Sequence, residues 1–235
     1  MTSGSLPPPG RLPLPGPLSL PARLYLLAWD TGRRRVTGTA HLHHLVRAGA
    51  LTELAQRGLL VDDDGITTPV DLDGRTGDTV LDGLLELVRE SRPRRWRTWV
   101  TLRARYTLVA VREQLAAEGY LRAEKRRVFG VFPSVEYALE RVAVVDALRE
   151  EAREVLEGAR PAAEVGERDA AVVALAAAAE LRTVVPGRDR RRHRQRIEEL
   201  TERSGAAAPA LRRVVREVRT AVVVAAAAAT APAGG

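Results

Sequence analysis

Along most of the chain the apolar residues return every three or four positions, the period of a helix with one face buried, and only two short stretches break into hairpin-like patterns. In "LSLPARLYLLAWD", Ser19 stands at an N-cap position and Pro21 in the first turn, where its missing N–H costs nothing. Leu24, Leu27 and Ala28 carry the apolar side, which predicts the first helix. From His41 to Gly58, Leu42, Leu45, Val46, Ala50, Leu51 and Leu54 share one side of a second helix, and Gly58 suits its C-cap. "LLVDDDGITTPV" sets apolar arms around Asp64-Gly65, a dipeptide that accepts positive φ, and predicts a short β-hairpin. "TGDTVLDGLLELVRES" is amphipathic, opened by Thr76 or Asp78 and ended by Pro93. "RWRTWVTL" and "RYTLVAVREQLAAEGY", the second closed by Gly119, supply two further helical segments.

"EKRRVFGVFPSVEY", residues 124–137, reads as strands on both sides of a turn from Gly130 to Ser134. Helices are predicted over 138–158, about 168–184, 188–203 and 208–229. Two of their segments, "AAVVALAAAAEL" and "AVVVAAAAA", are apolar nearly all round and predict helices central to the core. Residues 1–17 hold six of the fourteen prolines and no periodicity, the pattern of an extended, disordered tail, and 231–235 read as a flexible C-terminus. The expected fold is therefore mainly α: a single helical domain over 18–230 with short β-hairpins, one of them hydrophobic and projecting.

Composition narrows the function. Apolar residues make up 45% of the 235, enough for a buried core. The net charge of +7 and the pI near 10.7 favour a polyanionic partner, either nucleic acid or an anionic lipid surface. Alanine and arginine are heavily used and Lys125 is the sole lysine, a bias that points to a high-GC bacterial genome. The lack of cysteine excludes disulfides, thiolate zinc sites and cysteine nucleophiles, and agrees with a reducing cytosol. The most apolar run, residues 221–229, is about half the length of a bilayer span, and the N-terminus has no signal-peptide pattern. A cytoplasmic protein, soluble or peripheral to a membrane, is expected.

No nucleophile elbow, phosphate-cradling glycine loop or dinucleotide fingerprint occurs, so the chain reads as a non-enzyme without a cofactor. His41 and His44 lie one helical turn apart, but no third ligand accompanies them. Asp62, Asp63 and Asp64 lack the alternating ligands and distant glutamate of a calcium loop. "RDRRRHRQR", residues 188–196, reads either as a solvated helix face paired with Glu198, Glu199 and Glu202 or as a polyanion contact.

Residues 124–137 contain both phenylalanines of the chain, Phe129 and Phe132, directly behind three cations. They could fold back onto the core, form the wing of a winged-helix nucleic-acid binder, or make a membrane hairpin. Phe129, Val131 and Phe132 gain nothing from a phosphate backbone, whereas a membrane rewards them with about 1.5–3 kcal/mol each. Arg122, Lys125, Arg126 and Arg127 add about 1 kcal/mol each near an anionic leaflet. Together these suit a reversible, two-signal peripheral association. A nucleic-acid-binding regulator is the alternative, and an adaptor that homo-oligomerises through the hairpin is a third reading.

With these segments in place, the chain resembles the Golgi phosphoprotein 3 family over most of residues 18–229. The resemblance is carried by "LSLPARLYLLAWD", "LVRAGALTELAQRGLL", "TGDTVLDGLLELV", "VREQLAAEGYLRAEKRRVFGVF", "RDAAVVALAAAAEL" and "AVVVAAAAA" in that order. It implies a helical domain whose hydrophobic hairpin inserts into membranes beside a basic pocket for the headgroup of phosphatidylinositol 4-phosphate. Eukaryotic members bind cytosolic tails of glycosyltransferases; for a bacterial member, only the anionic phospholipid membrane transfers as a partner. Carried over by residue, the pocket arginines match Arg47 in "LVRAG" and Arg112 in "VREQL". Arg112 matches the second arginine of the family's helical pair; its partner one turn earlier falls on Val109 and the pocket tryptophan near Gly38, leaving Arg33, Arg34, Arg35 or Arg105 to compensate.

Overall fold

The computed structural model describes residues 17–128, 132–205, 214–220 and 223–224, with side chains for all of these except 126–128 and 132–134. The expectations for residues 1–16, for Phe129, Gly130 and Val131, and for most of 221–235 lie outside the described residues.

Helix α2, Leu42–Gln56, is the axis of the domain, buried from Leu42 to Ala55 almost without interruption and packed by α1, α3, α4, α5 and α7. Its twelve buried residues include two charged ones, Arg47 and Glu53, and both are partnered. Helix α1, Leu20–Leu27, follows Ser19 with Pro21 in its first turn and crosses α2 at Gly49. A Cβ at Gly49 would stand 2.6 Å from Leu24 Cδ1 and 3.2 Å from Pro21 Cα, so this contact distance depends on the missing side chain. The first N–H of α1 donates to Glu53 Oε2 at 2.5 Å, joining the two helices through a carboxylate that also meets Arg57 at 2.6 Å and Arg168 at 3.3 Å.

Gly58, at φ +71°, turns the chain out of α2 into the three-stranded sheet of β3 (Leu60–Asp63), β4 (Ile66–Pro69) and β5 (Arg94–Arg95). Asp64 and Gly65 both have positive φ, as the hairpin turn requires, and Asp62 accepts from the Gly65 amide and from Trp96 Nε1. Helix α3, Thr79–Arg89, is capped by Asp78, whose carboxylate accepts from the amides of Val80 and Leu81 at 2.9 and 3.0 Å. Two elements escaped the periodicity: a two-residue ribbon of β1 (Trp29–Asp30) with β2 (Arg35–Val36), and β5 itself.

Helices α4 (Trp96–Thr101) and α5 (Ala104–Ala117) meet at Arg103, which has φ +51°. A hairpin follows, in which β6 (Leu121–Val128) pairs with β7 (Phe132–Leu139) from Leu121 opposite Leu139 to Val128 opposite Phe132. Pairing thus continues through Phe132, Pro133 and Ser134, which the sequence had assigned to a turn, and delays α6 to Val142–Glu157. After a short 3-10 helix at Ala162–Glu164, helix α7 (Glu167–Ala178) is buried on every side from Ala170 onward, as its composition predicts. The basic helix predicted over 188–203 is divided at His193 into α8 (Gly187–Arg192) and α9 (Arg194–Ser204). In the last described helical stretch, residues 214–220, Val214, Val215 and Val218 are buried, whereas Val223 and Val224 are 60% and 63% exposed. The closing valines described here therefore flank the core instead of crossing it.

Candidate functional site

The β6–β7 hairpin is anchored at its root. Leu121 is buried and Tyr137 and Leu139 rest partly against the core, but Arg122, Ala123 and Lys125 on one strand and Val135 and Glu136 on the other are exposed. Arg122 Nε donates to Glu140 at 2.6 Å and Nη2 lies 3.0 Å from Glu124; the Glu140 bond, then both carboxylate charges, hold its pKa above the ordinary arginine value. Lys125 stands opposite Val135. Arg126 and Arg127 pair through their backbones with Ser134 and Pro133, and Phe132 with Val128, while Phe129 and Val131 lie outside the described residues.

Helix α5 leads into this hairpin and carries Arg105 and Arg112 seven residues apart, hence on one side. The Arg112 guanidinium lies 5.4 Å from the Tyr25 ring centroid on α1 and 5.8 Å from that of Tyr137 on β7, within cation–π range of both. Burial raises the pKa of the Tyr25 hydroxyl, and the adjacent Arg112 charge opposes that rise. Between the two arginines Val109 is 46% exposed, and beside them Tyr106 is 74% exposed. The side of α5 that faces solvent thus carries the two arginines and a partly apolar surface, with exposed Glu113 one turn beyond Val109.

Arg105 also borders the start of α2, where the His43 and His44 rings stand 4.0 Å apart. Burial is the main cause lowering His44 to a pKa of about 4, with His43, His41 and Arg105 adding repulsion. One turn further along α2, Arg47 is buried and donates Nη2 to the Leu102 carbonyl at the α4–α5 junction. Burial lowers its pKa to about 10, which leaves it protonated at neutral pH. Its guanidinium braces two helices and is turned away from solvent. Arg35 is exposed on β2, in register with Asp30.

Gly38, the position of the implied tryptophan, has φ +65° and borders a cleft of 640 Å³ lined also by Arg33, His41, Arg149 and Arg182. Arg149, from α6, is fixed by bonds to Thr31 Oγ1 at 2.7 Å and to the Trp29 carbonyl, and Arg182 follows α7. Sequence reasoning missed both, together with Tyr25 and Tyr137, because each reaches its place only through packing between distant segments. Alternation along β7 offered the one local signal, since it puts Tyr137 and Leu139 on the same face.

The family profile of Golgi phosphoprotein 3 (GPP34) matches residues 20–218, from the first residue of α1 to the last buried valine of the 214–220 stretch. The chain belongs to the Golgi phosphoprotein 3 family. No curated protein matches it. The match spans α2, α5 and the whole hairpin of this Golgi phosphoprotein 3 homologue, so the arginines carried over by motif sit on elements that the family profile covers. Among the described residues no helix is long and apolar enough to cross a membrane.

Proposed function

We propose that this protein is a non-catalytic peripheral membrane protein that binds anionic phospholipid, with phosphatidylinositol 4-phosphate as the headgroup its family resemblance names. The observation that carries the reading is the contact of Arg112 with Tyr137: it sets the side of α5 that bears Arg105 and Arg112 against the root of the hairpin. Headgroup contacts from Arg112 and Arg105, supplemented by Arg35, and apolar insertion of the hairpin can then act on one bilayer together. Arg47 contributes from within, holding the α4–α5 junction on which Arg105 stands. Lys125 and the arginines of β6 lie along the insertion path, where each cation near an anionic leaflet contributes about 1 kcal/mol. Exposed Tyr106 and Val109 suit the headgroup–acyl boundary, where an amphipathic ring is at home.

Co-sedimentation with vesicles of phosphatidylcholine alone, with added phosphatidylserine, and with added phosphatidylinositol 4-phosphate tests the reading, run beside a titration with duplex DNA. Binding is expected to rise with anionic lipid and to be weak for neutral vesicles. Tighter binding to DNA than to every vesicle would instead make the hairpin a nucleic-acid wing.

A further inference from the structure

The densest basic run of the sequence is not used by the lipid-binding face. Arg190 and Arg191 of α8 and Arg194 at the start of α9 line one cleft across the α8–α9 break, and Arg219 reaches the same place from the 214–220 stretch. They surround a cleft of 340 Å³ whose apolar wall comes from Ala177 of α7 and Ile197 of α9. Two carboxylates answer the four guanidinium groups: Glu180 pairs with Arg190 at 2.6 Å and Glu198 with Arg194 at 3.0 Å. Arg191 and Arg219 are exposed and have no ion-pair partner among the described residues. Solvent screens these exposed charges in part, and an anion held between them would relieve the repulsion that remains.

We infer that this cleft is a second anion site, one that takes a small phosphate dianion or pyrophosphate group. Planar guanidinium forks match phosphate oxygens in paired hydrogen bonds, and the two unanswered charges equal those of one phosphate monoester dianion. The volume is near the lower end of small-molecule sites, about 300–1,000 Å³, so the cleft fits a single phosphorylated group and not a nucleic-acid backbone, which needs an extended cationic track. The phosphate can be free or borne by a lipid headgroup; the chemistry of capture is the same.

Calorimetric titration of the full chain with inorganic pyrophosphate is expected to show one bound anion per chain. Arg191→Ser with Arg219→Ser should weaken it at least about tenfold with an unchanged melting temperature. Arg94→Ser with Arg97→Ser removes two exposed charges elsewhere and should change the affinity by less than about twofold. Absence of binding by the unaltered protein, or equal losses in the two double variants, overturns the inference. If the serine pair lowers the melting temperature, Arg191→Lys with Arg219→Lys keeps charge and removes the forks; weaker pyrophosphate binding then supports the site, and unchanged binding overturns it. Vesicles containing phosphatidylinositol 4-phosphate identify the source. Parallel loss of vesicle and pyrophosphate binding in the serine pair assigns a lipid headgroup, and loss of pyrophosphate binding alone assigns a soluble phosphorylated molecule, the site standing in both cases.

Discussion

The guanidinium carbon of Arg112 lies 5.4 Å from the ring centroid of Tyr25, and so ties the helix before the β6–β7 hairpin to the first helix of the domain. The same group lies 5.8 Å from Tyr137, so one cation connects the hairpin root to the core. Each half-buried cation–π contact is worth about 0.5–1 kcal/mol. A double-mutant cycle of Arg112→Met and Tyr137→Leu, followed by urea unfolding, should therefore give a coupling of about 0.5–1 kcal/mol. Additive losses would mean that Tyr137 is held by packing alone.

Gly49→Ala should destabilise the protein although alanine is the better helix former. The added Cβ would meet Leu24 Cδ1 at 2.6 Å and the Pro21 backbone at 3.2 Å, and the backbone cannot move without shifting α1. Overpacking of about 1–3 kcal/mol then outweighs a helix-propensity gain of about 1 kcal/mol. A lower melting temperature is the expected result, and an unchanged or higher one would show that α1 rides freely on α2.

His44 gives the stability an acid limb. Its folded-state pKa of about 4 is below the ordinary histidine value of 6.5, so the unfolded chain takes up the proton first as pH falls. The contribution is complete above pH 6.5 and is lost as pH falls from there through about 4, with His43 shifted in the same direction. His44 Nδ1 is buried without a hydrogen-bond partner among the described residues, so His44→Gln keeps the polar bulk and removes the titration. Denaturation midpoints measured across this window should fall less steeply in the variant; equal slopes would assign the limb to carboxylates.

Much of the fold was legible because it is written in local chemistry. Asp64-Gly65 announced its hairpin through positive φ, Asp78 its cap through a short acceptor, and the alanine-rich run of α7 its burial through an absence of polar positions. What stayed hidden depends on residues far apart in sequence. The β1–β2 ribbon has two residues per strand around an arginine-rich turn, too short for alternation to register. Gly130 to Ser134 looked like a turn because glycine and proline punctuate it, yet Pro133 lies at the far end of the ladder, where a missing N–H is tolerated. At the site, motif order brought out Arg47 and Arg112 but could not tell a guanidinium bonded to a carbonyl inside the core from one lying between two tyrosine rings. Nor could it place Arg149 and Arg182 beside Gly38.

The proposal that the hairpin binds membranes through its aromatic residues is tested by vesicle co-sedimentation of Phe129→Ser with Phe132→Ser. Each phenylalanine transferred to an acyl environment contributes about 1.5–3 kcal/mol, so affinity for vesicles containing anionic lipid should fall at least about tenfold. Helical circular dichroism and the melting temperature should stay nearly unchanged, and the remaining, arginine-dependent binding should be the more sensitive to salt. Undiminished vesicle binding by the folded double variant would rule out insertion through these rings, and a fall in melting temperature of the size that core truncation brings, several kcal/mol for each ring, would assign both side chains to the interior.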